Sequence, residues 1–572
     1  MNLRWWRVGI CIVLGLTWLG CGWLVPAHLR AVDAGVVFSA GRTGDSLLER
    51  GQALLVADRL GAAQLLASAA QQAAMPGWDR LHDAVAARAR ENPGAVFCGN
   101  DTRTAALFHP APDAQAFSGF IVLQENREPA LEHLGQSTAT GVPELMRCRT
   151  LNRTVLFPPS SSAAGQAFDA VLAATGLLLD GNHLTSSLGG QIKELAQAAD
   201  RGAGSQPLEQ VLMDVGSLGE RLNWDQLTAF LGLVPDVATL HQLAGQAGNA
   251  GGRLPLLFAA VQLCGHPRAV AGYLTEFSQT GLPDISSALW YGADGVRMLA
   301  ESGRRFYASA GLRWVATHTP LGGLYYYAAA RSFENPRLAL AVRWGFFLAA
   351  GFCFALALHF SRRPLSGVEA ALQVRGVHLA REFLFSLGFL LVVLLLSEPF
   401  LAQESQKGDF SLRLHLPMAG GAIPAGIAEV KHSVMNLNPT ILLTLLVFFV
   451  LQALIYIACL VKLAEIRRQP VPPRMKLKLL ENEDHLFDAG LYLGFVGTIV
   501  SLILVSMGVI KFSLMAAYSS TSFGIIFVVI FTIFHLRPAR RKLLLDAELA
   551  DTMVTTVPAP PRAATPEPAL TS

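Results

Sequence analysis

Charge is scarce in this chain. Only 15% of its 572 residues are Asp, Glu, Lys or Arg, against about 25% in an average soluble domain, which excludes an ordinary soluble enzyme. Cysteine is scarcer: seven residues, thinly scattered, too few for a disulfide-stapled scaffold. Catalytic constellations are missing as well. The fourteen histidines form no HExxH and no pair at ligand spacing beside a third ligand, so no metal is expected. There is no GxSxG elbow, no GxxxxGK[ST] loop and no CxxC; Gly41-Arg42-Thr43-Gly44 resembles a phosphate loop only superficially, because it lacks the lysine. Neither catalysis nor a cofactor is expected. The net charge of +3 is small and its cations lie beside apolar runs, which argues against nucleic acid as a partner.

What is abundant is apolar sequence: 52% hydrophobic residues before the 52 glycines are counted, and a mean hydropathy of +0.40. Apolar runs cover Val8–Leu24, Leu338–Phe360, Glu382–Phe400, Thr440–Leu463, Phe487–Gly508 and Phe512–Leu536, each close to the ~20 residues that cross a ~30 Å hydrocarbon core. The first follows Arg4 and Arg7 and reads as an uncleaved signal anchor, with Val25-Pro26-Ala27 as a passable cleavage site. Connections 361–381 (Arg362, Arg363, Arg375, Arg381) and 464–486 (Arg467, Arg468, Arg474, Lys476, Lys478) are basic, as is the stretch after Leu536. The 401–438 loop instead balances Lys407, Arg413 and Lys431 against Glu404, Asp409 and Glu429. The positive-inside rule then gives one answer: six spans, both termini cytoplasmic, and the long 31–336 segment outside.

That outside segment is expected to be mainly helical. Ser46-Leu47-Leu48-Glu49 reads as a capping box opening a run to Leu60, with Gly61 as the break and a second run ending at Met75-Pro76-Gly77. Phe120-Ile121-Val122-Leu123 is the best strand candidate. Helix starts near Asn223, Arg253 and Asp284 are spaced about thirty residues apart, compatible with a solenoid of the tetratricopeptide or HEAT kind or with an irregular helical domain. Tyr325-Tyr326-Tyr327 suits the outer interfacial belt. Cys98, Cys148 and Cys264 lie outside, where a Cys98–Cys148 bridge is one option. Arg343 and Glu398 sit near outer span ends and are expected to snorkel.

The last two runs carry a pattern. Gly490, Gly494, Gly497, Thr498 and Ser501 recur at steps of three and four, as do Ser513, Ala517, Thr521, Gly524, Val528, Thr532 and His535. Each set shares one helix face. Small-residue packing is the plain reading. Thr498 and Thr521 also lie about eleven or twelve residues from the Val509–Ile510 turn, ~17 Å deep on each helix. They are therefore expected at one depth, facing a common seam.

Tyr492-Leu493-Gly494-Phe495-Val496-Gly497-Thr498-Ile499 resembles the Y-I-G-L-x-G-T-V stretch of the TolQ, ExbB and MotA family of proton-channel subunits, and Ala517-Tyr518-Ser519-Ser520-Thr521-Ser522-Phe523-Gly524-Ile525 is similar to the A-L-x-x-T-x-x-G-L stretch of that family's last span. The resemblance covers residues 439–545. The 464–486 loop is shorter than the family's cytoplasmic domain, and Val528-Val529-Ile530-Phe531 replaces its usual Ile-Pro. It implies a homo-oligomer, typically pentameric, around a single-span ExbD- or TolR-like partner that supplies a membrane aspartate. Gly494, Gly497, Thr498, Ser501, Ala517, Thr521 and Gly524 then line the ion pathway or its packing seam.

The sequence thus reads as an all-α, polytopic inner-membrane protein: anchor 1–30, periplasmic helical domain 31–336 for an envelope partner, hairpin 337–400, outer loop 401–438, TolQ-like module 439–545 and a disordered tail 546–572. The expected function is an ion channel or ion-coupled motor subunit. The alternative is a non-conducting scaffold that displays the periplasmic domain.

Overall fold

The computed structural model describes residues 2–41, 44–107, 116–151, 154–157, 165–361, 377–400, 439–506 and 514–555, and is almost wholly helical. It divides into two compact units, one of residues 24–340 and one formed by residues 1–23 with 341–572.

The 24–340 unit is a stack of short helices around one large apolar core. Its first helical pair begins where the capping box predicts: Ser46 accepts from the Glu49 amide while Glu49 reaches back to the Ser46 amide. The break comes earlier than expected. Helix Leu47–Val56 stops before Asp58, which adopts φ 54°, and Gly61 lies inside the next helix, Leu60–Gln72. A Cβ at Gly61 would sit 2.4 Å from the Val96 carbonyl oxygen, so this glycine serves a close helix approach and not a turn. Leu60–Gln72 is central, packing on helices Leu47–Val56, Trp78–Glu91, Trp224–Leu231 and Leu254–Cys264. Its entry is anchored by Arg59, whose Nε donates to buried Asp225 Oδ1 at 2.7 Å while the Ala62 amide donates to Oδ2 at 2.9 Å.

Two further expectations need correction. Phe120-Ile121-Val122 is helical, within Phe117–Val122. Phe117, Phe120 and Ile121 are buried together, a spacing of three and four that serves one helix face and that an apolar run this short does not distinguish from a strand. Of the three periodic starts, Asn223 caps its helix in a second capping box with Gln226 and Arg253 precedes Leu254–Cys264. Asp284 instead lies within Gly281–Ala288. It is a buried acceptor, taking the Tyr273 hydroxyl and the Arg305 guanidinium at 3.0 Å each.

The chain enters and leaves this unit side by side. Strand β1 (Ala31–Asp33) pairs in parallel with β2 (Arg305–Tyr307), possible only because the intervening residues make a long crossover. Asp33 then caps helix Ala34–Ala40 through the Gly35 amide, and the same carboxylate oxygen accepts the Tyr325 hydroxyl. Tyr325 is therefore buried at this junction, not in an interfacial belt, while Tyr327 is exposed.

Cys98, Cys148 and Cys264 are free and buried, so the 98–148 bridge does not form. Burial pushes the Cys98 thiol up to about 12 and those of Cys148 and Cys264 to about 11. The reactive thiolate is suppressed. Native protein should leave all three unalkylated at pH 8 and expose them on denaturation; a disulfide-linked peptide in a mass-spectrometric digest would contradict this.

Asp101 joins three segments of the same core. Its Oδ2 accepts from Trp224 Nε1 at 2.9 Å and the Thr104 hydroxyl at 2.6 Å, and lies 2.9 Å from His183 Nε2. Burial opposes ionisation, but these hydrogen bonds outweigh it and hold the carboxyl below its ordinary range. A depressed folded value adds stability above the unfolded pKa of about 3.9 and loses it as pH falls further. Thermal melts of the protein should therefore drop steeply below about pH 4, and Asp101→Asn should flatten that limb. An unchanged acid limb in the variant would exclude Asp101 as its cause.

In the other unit, α1 is Asn2–Leu24, α2 Pro336–Ser361, α3 Val377–Ser397, α4 Pro439–Arg468, α5 Pro473–Asn482, α6 Ala489–Ser506, α7 Leu514–Phe531 and α8 Arg537–Thr555. Four stretches among the described residues are long and apolar enough to cross a membrane: Trp5–Leu24, Pro336–Ser361, Phe448–Arg468 and Tyr518–Leu549. Glu382–Leu394 and Ala489–Ile499 are shorter apolar helices. α1 packs on α2 through Gly15, against the Phe354 ring, and Gly22, against Phe347. The 464–486 connection is not a bare loop, since α5 occupies it with Pro473 at its first turn. The segment from 546 is likewise helical as far as Thr555, because Leu536, Ala539, Leu543 and Ala547 bury one face and α8 packs on α5. The 401–438 loop and the 556–572 tail lie outside the described residues.

Candidate functional site

Among the described residues, helices α6 and α7 share the most extensive contact of any helix pair, and the small residues are the reason. A Cβ at Gly494 would lie 2.9 Å from the Ser520 carbonyl oxygen, one at Gly524 would lie 2.6 Å from the Gly490 carbonyl oxygen, and one at Gly497 would meet the Ser520 hydroxyl at 2.6 Å. Backbone meets backbone across this seam, so larger residues at Gly494 or Gly524 must force the helices apart.

The two threonines meet inside it. Thr498 Oγ1 and Thr521 Oγ1 are 2.6 Å apart, and both lie within hydrogen-bond reach of the Gly494 carbonyl, at 3.1 and 3.2 Å. Their depth and facing were legible from the turn-to-residue count. Ser501 and Ala517 lie on the same two helices, and their side chains fall outside the described residues.

α4 completes the arrangement with residues that the small-residue pattern did not flag. Gln452 is buried at 1% exposure, and its Nε2 donates to the Gly490 carbonyl at 3.0 Å. Gly490 is one turn from Gly494, so the glutamine and the threonine pair take successive carbonyls of α6, ~6 Å apart along the axis. One turn further along α4, the Tyr456 hydroxyl lies 2.8 Å from His535 Nε2. His535 sits in a π-helical turn, Thr532–Leu536, between α7 and α8, an irregularity frequent at functional sites. A ladder of polar groups thus runs from Thr498–Thr521 through Gln452 to Tyr456–His535, bounded by Phe487, Phe527 and Phe531. A single Gln in an apolar run was the one sequence signal available for its middle rung.

A second polar arrangement replaces the snorkelling expected of α2 and α3. Arg343 Nη1 lies 3.3 Å from Glu398 Oε1, with side chains 3% and 1% exposed. His359 Nδ1 lies 3.2 Å from Glu382 Oε1. Each partner pair is sixteen residues apart on its own chain segment, so two antiparallel helices are clasped at points ~24 Å apart. Between the clasps the Ser386 hydroxyl bonds the Leu348 carbonyl, beside Gly351. Neither Arg343 nor Glu398 reaches for solvent, because each is the other's counter-ion.

Among the described residues no group of three or more His, Cys, Asp or Glu side chains is arranged to hold a metal. No protein-family model, curated protein or solved structure matches this chain.

Proposed function

We propose that the chain is an inner-membrane, TolQ-, ExbB- or MotA-like subunit of an ion-coupled complex, crossing the bilayer six times with residues 31–336 in the periplasm and both termini in the cytoplasm. The observation that carries this reading is the hydroxyl pair Thr498–Thr521, 2.6 Å apart in a seam whose close approach rests on Gly494, Gly497 and Gly524. Hydroxyls solvate a passing proton but do not titrate near neutrality, so a partner must supply the acid. The resemblance assigns that acid to the aspartate of a single-span, ExbD- or TolR-like protein inside a homo-oligomeric ring, a pentamer if family-like. The helical periplasmic unit is then the arm that meets an envelope protein.

The test is proton flux, with oligomer size read alongside, in vesicles containing the full chain with and without its candidate single-span partner. Flux that requires the partner and its aspartate is the expected result. Reporter fusions should place Ala203 outside and Pro472 inside, because only that arrangement keeps the basic clusters cytoplasmic; an outside Pro472 overturns the six-span topology.

A non-conducting scaffold is the second reading, and one observation favours it. Two hydroxyls have two protons, and the mutual bond with the shared Gly494 carbonyl can absorb both inside the seam. Partner-dependent assembly without flux would select this reading.

A further inference from the structure

The last part of the 24–340 unit leaves much apolar surface uncovered. Helix Ala310–His318 begins at a proper cap, the Ser309 hydroxyl accepting from the Leu312 amide at 3.3 Å, yet none of its residues is buried. A helix of nine residues is marginal in water unless packing holds it. It packs on helix Gly322–Glu334, reached through Thr319-Pro320-Leu321. That second helix buries Tyr325, Ala329 and Ser332 on one side and turns Leu324, Tyr327 and Arg331 outward, at the steps of three and four that share a helix face. Trp314 is 59% exposed, Leu324 58% and Tyr327 62%, and Leu321 and Phe333 are exposed with them. Formal charge between residues 310 and 334 is limited to Arg313, Arg331 and Glu334. Arg331 pairs with Glu334 at 2.7 Å and lies over the Tyr327 ring, 5.4 Å from its centroid. Exposed Trp and Tyr among aliphatic residues, with arginine at the edge, is the composition favoured at a membrane–water interface.

The course of the chain says what covers this surface. Pro336, two residues after Glu334, opens a stretch long and apolar enough to cross a membrane, and Leu24 closes another. Phe333 therefore lies within ~11 Å of the start of a span. The parallel pairing of β1 with β2 and the hydrogen bond from the Tyr325 hydroxyl to Asp33 hold the two connections to those spans together. A surface tethered so closely at two points meets headgroups as an intramolecular event, which no soluble partner matches. We infer that helices Ala310–His318 and Gly322–Glu334 form a membrane-docking platform, with Trp314, Leu324, Tyr327 and Phe333 seated at the headgroup boundary of the bilayer that Trp5–Leu24 and Pro336–Ser361 enter. Such an apolar face sinks ~5–10 Å into that boundary. Arg313, next to Trp314, has a stem long enough to carry its guanidinium back to the lipid phosphates. The platform rests on those two stretches crossing a membrane, as in the reading proposed above, and not on ion coupling. Tyr325 turns inward and locks the helix, while its neighbours supply the interfacial belt.

The experiment uses the full chain in nanodiscs of phosphatidylcholine and phosphatidylglycerol, with a nitroxide on one added cysteine at a time. Thr317→Cys and Gly323→Cys report the platform and leave its apolar side chains in place; a Cβ at Gly323 meets nothing within 4 Å. Glu132→Cys, exposed on helix Gln124–Gln136, reports water, and Leu348→Cys, midway along Pro336–Ser361, reports insertion of the span. The unsubstituted chain gives the background of the native cysteines. Collision with membrane-soluble oxygen against an aqueous nickel chelate reads depth. The labels at 317 and 323 are expected to favour oxygen about fivefold or more over the label at 132, in discs that hold a single copy. Trp314→Ser with Tyr327→Ser should return both labels to the aqueous value, and unchanged depth in that variant overturns the assignment of these rings as anchors. Aqueous labels at 317 and 323 with an inserted 348 overturn the platform and leave the spans standing. Shielding that requires two copies in a disc assigns the surface to self-association and overturns lipid docking. An aqueous label at 348 removes the membrane reading itself, and the platform with it.

Discussion

Replacing Thr498 and Thr521 together by valine is expected to abolish proton flux while the protein still inserts and assembles. Valine keeps the branched shape and removes only the hydroxyl. The variant therefore deletes the 2.6 Å hydroxyl contact and the hydroxyl bond to the Gly494 carbonyl with little change in packed volume. Each interhelical hydrogen bond lost in a membrane costs on the order of 0.6 to 2 kcal/mol, which the close α6–α7 packing tolerates. Loss of this hydroxyl pair removes solvation an ion needs in the seam, an all-or-none effect on conduction. Gly494→Leu is the packing control, since its side chain must displace the Ser520 and Thr521 backbone and should disrupt the oligomer under either functional reading. Flux and oligomer size measured on the same vesicles separate the two effects. Wild-type flux in the double valine variant with an intact oligomer would remove the threonines from any ion pathway.

The threonine pair was legible in the sequence because two regular helices joined by a tight turn convert residue count directly into depth. The glycines were legible for a related reason: small residues at steps of three and four fall on one face whatever that face meets. Gln452 and Tyr456 were not, because a helix such as α4, apolar on all sides, has no periodicity to show which polar residue looks inward. His535 falls on the periodic face of the last run, but its partner lies 79 positions away in the chain and only the three-helix packing brings them together. The same limit explains the 24–340 unit. The capping box at Ser46 and the helix start at Asn223 are local signals and fell where expected, whereas Asp284, Tyr325 and Gly61 are defined by partners far away in sequence and were misread as a helix start, a membrane belt and a break.

The pairing of Arg343 with Glu398 makes a prediction that the snorkelling reading does not. A charge reaching for water loses little when its neighbour is removed. A charge held at 3% exposure against a partner at 1% is left stranded, and breaking a buried pair from one side costs about 3 to 5 kcal/mol. Arg343→Met and Glu398→Leu should each destabilise the protein by roughly that amount in denaturant titrations of purified, detergent-solubilised protein. The double variant should recover most of the loss, because an apolar pair of similar volume restores a surrounding without isolated charge. Arg343 also stacks 5.5 Å from the centroid of Phe347, a contact that methionine partly keeps through its own packing with the ring. The decisive quantity is the coupling between the two substitutions. Additive losses, or single variants within 1 kcal/mol of wild type on the same scale of buried-pair effects, would mean that the two charges act independently. Strong coupling would make the clasp the element that fixes the register of α2 against α3. The second pair, His359 with Glu382, then holds the same register from the other end, so a one-turn slip of either helix breaks both pairs at once.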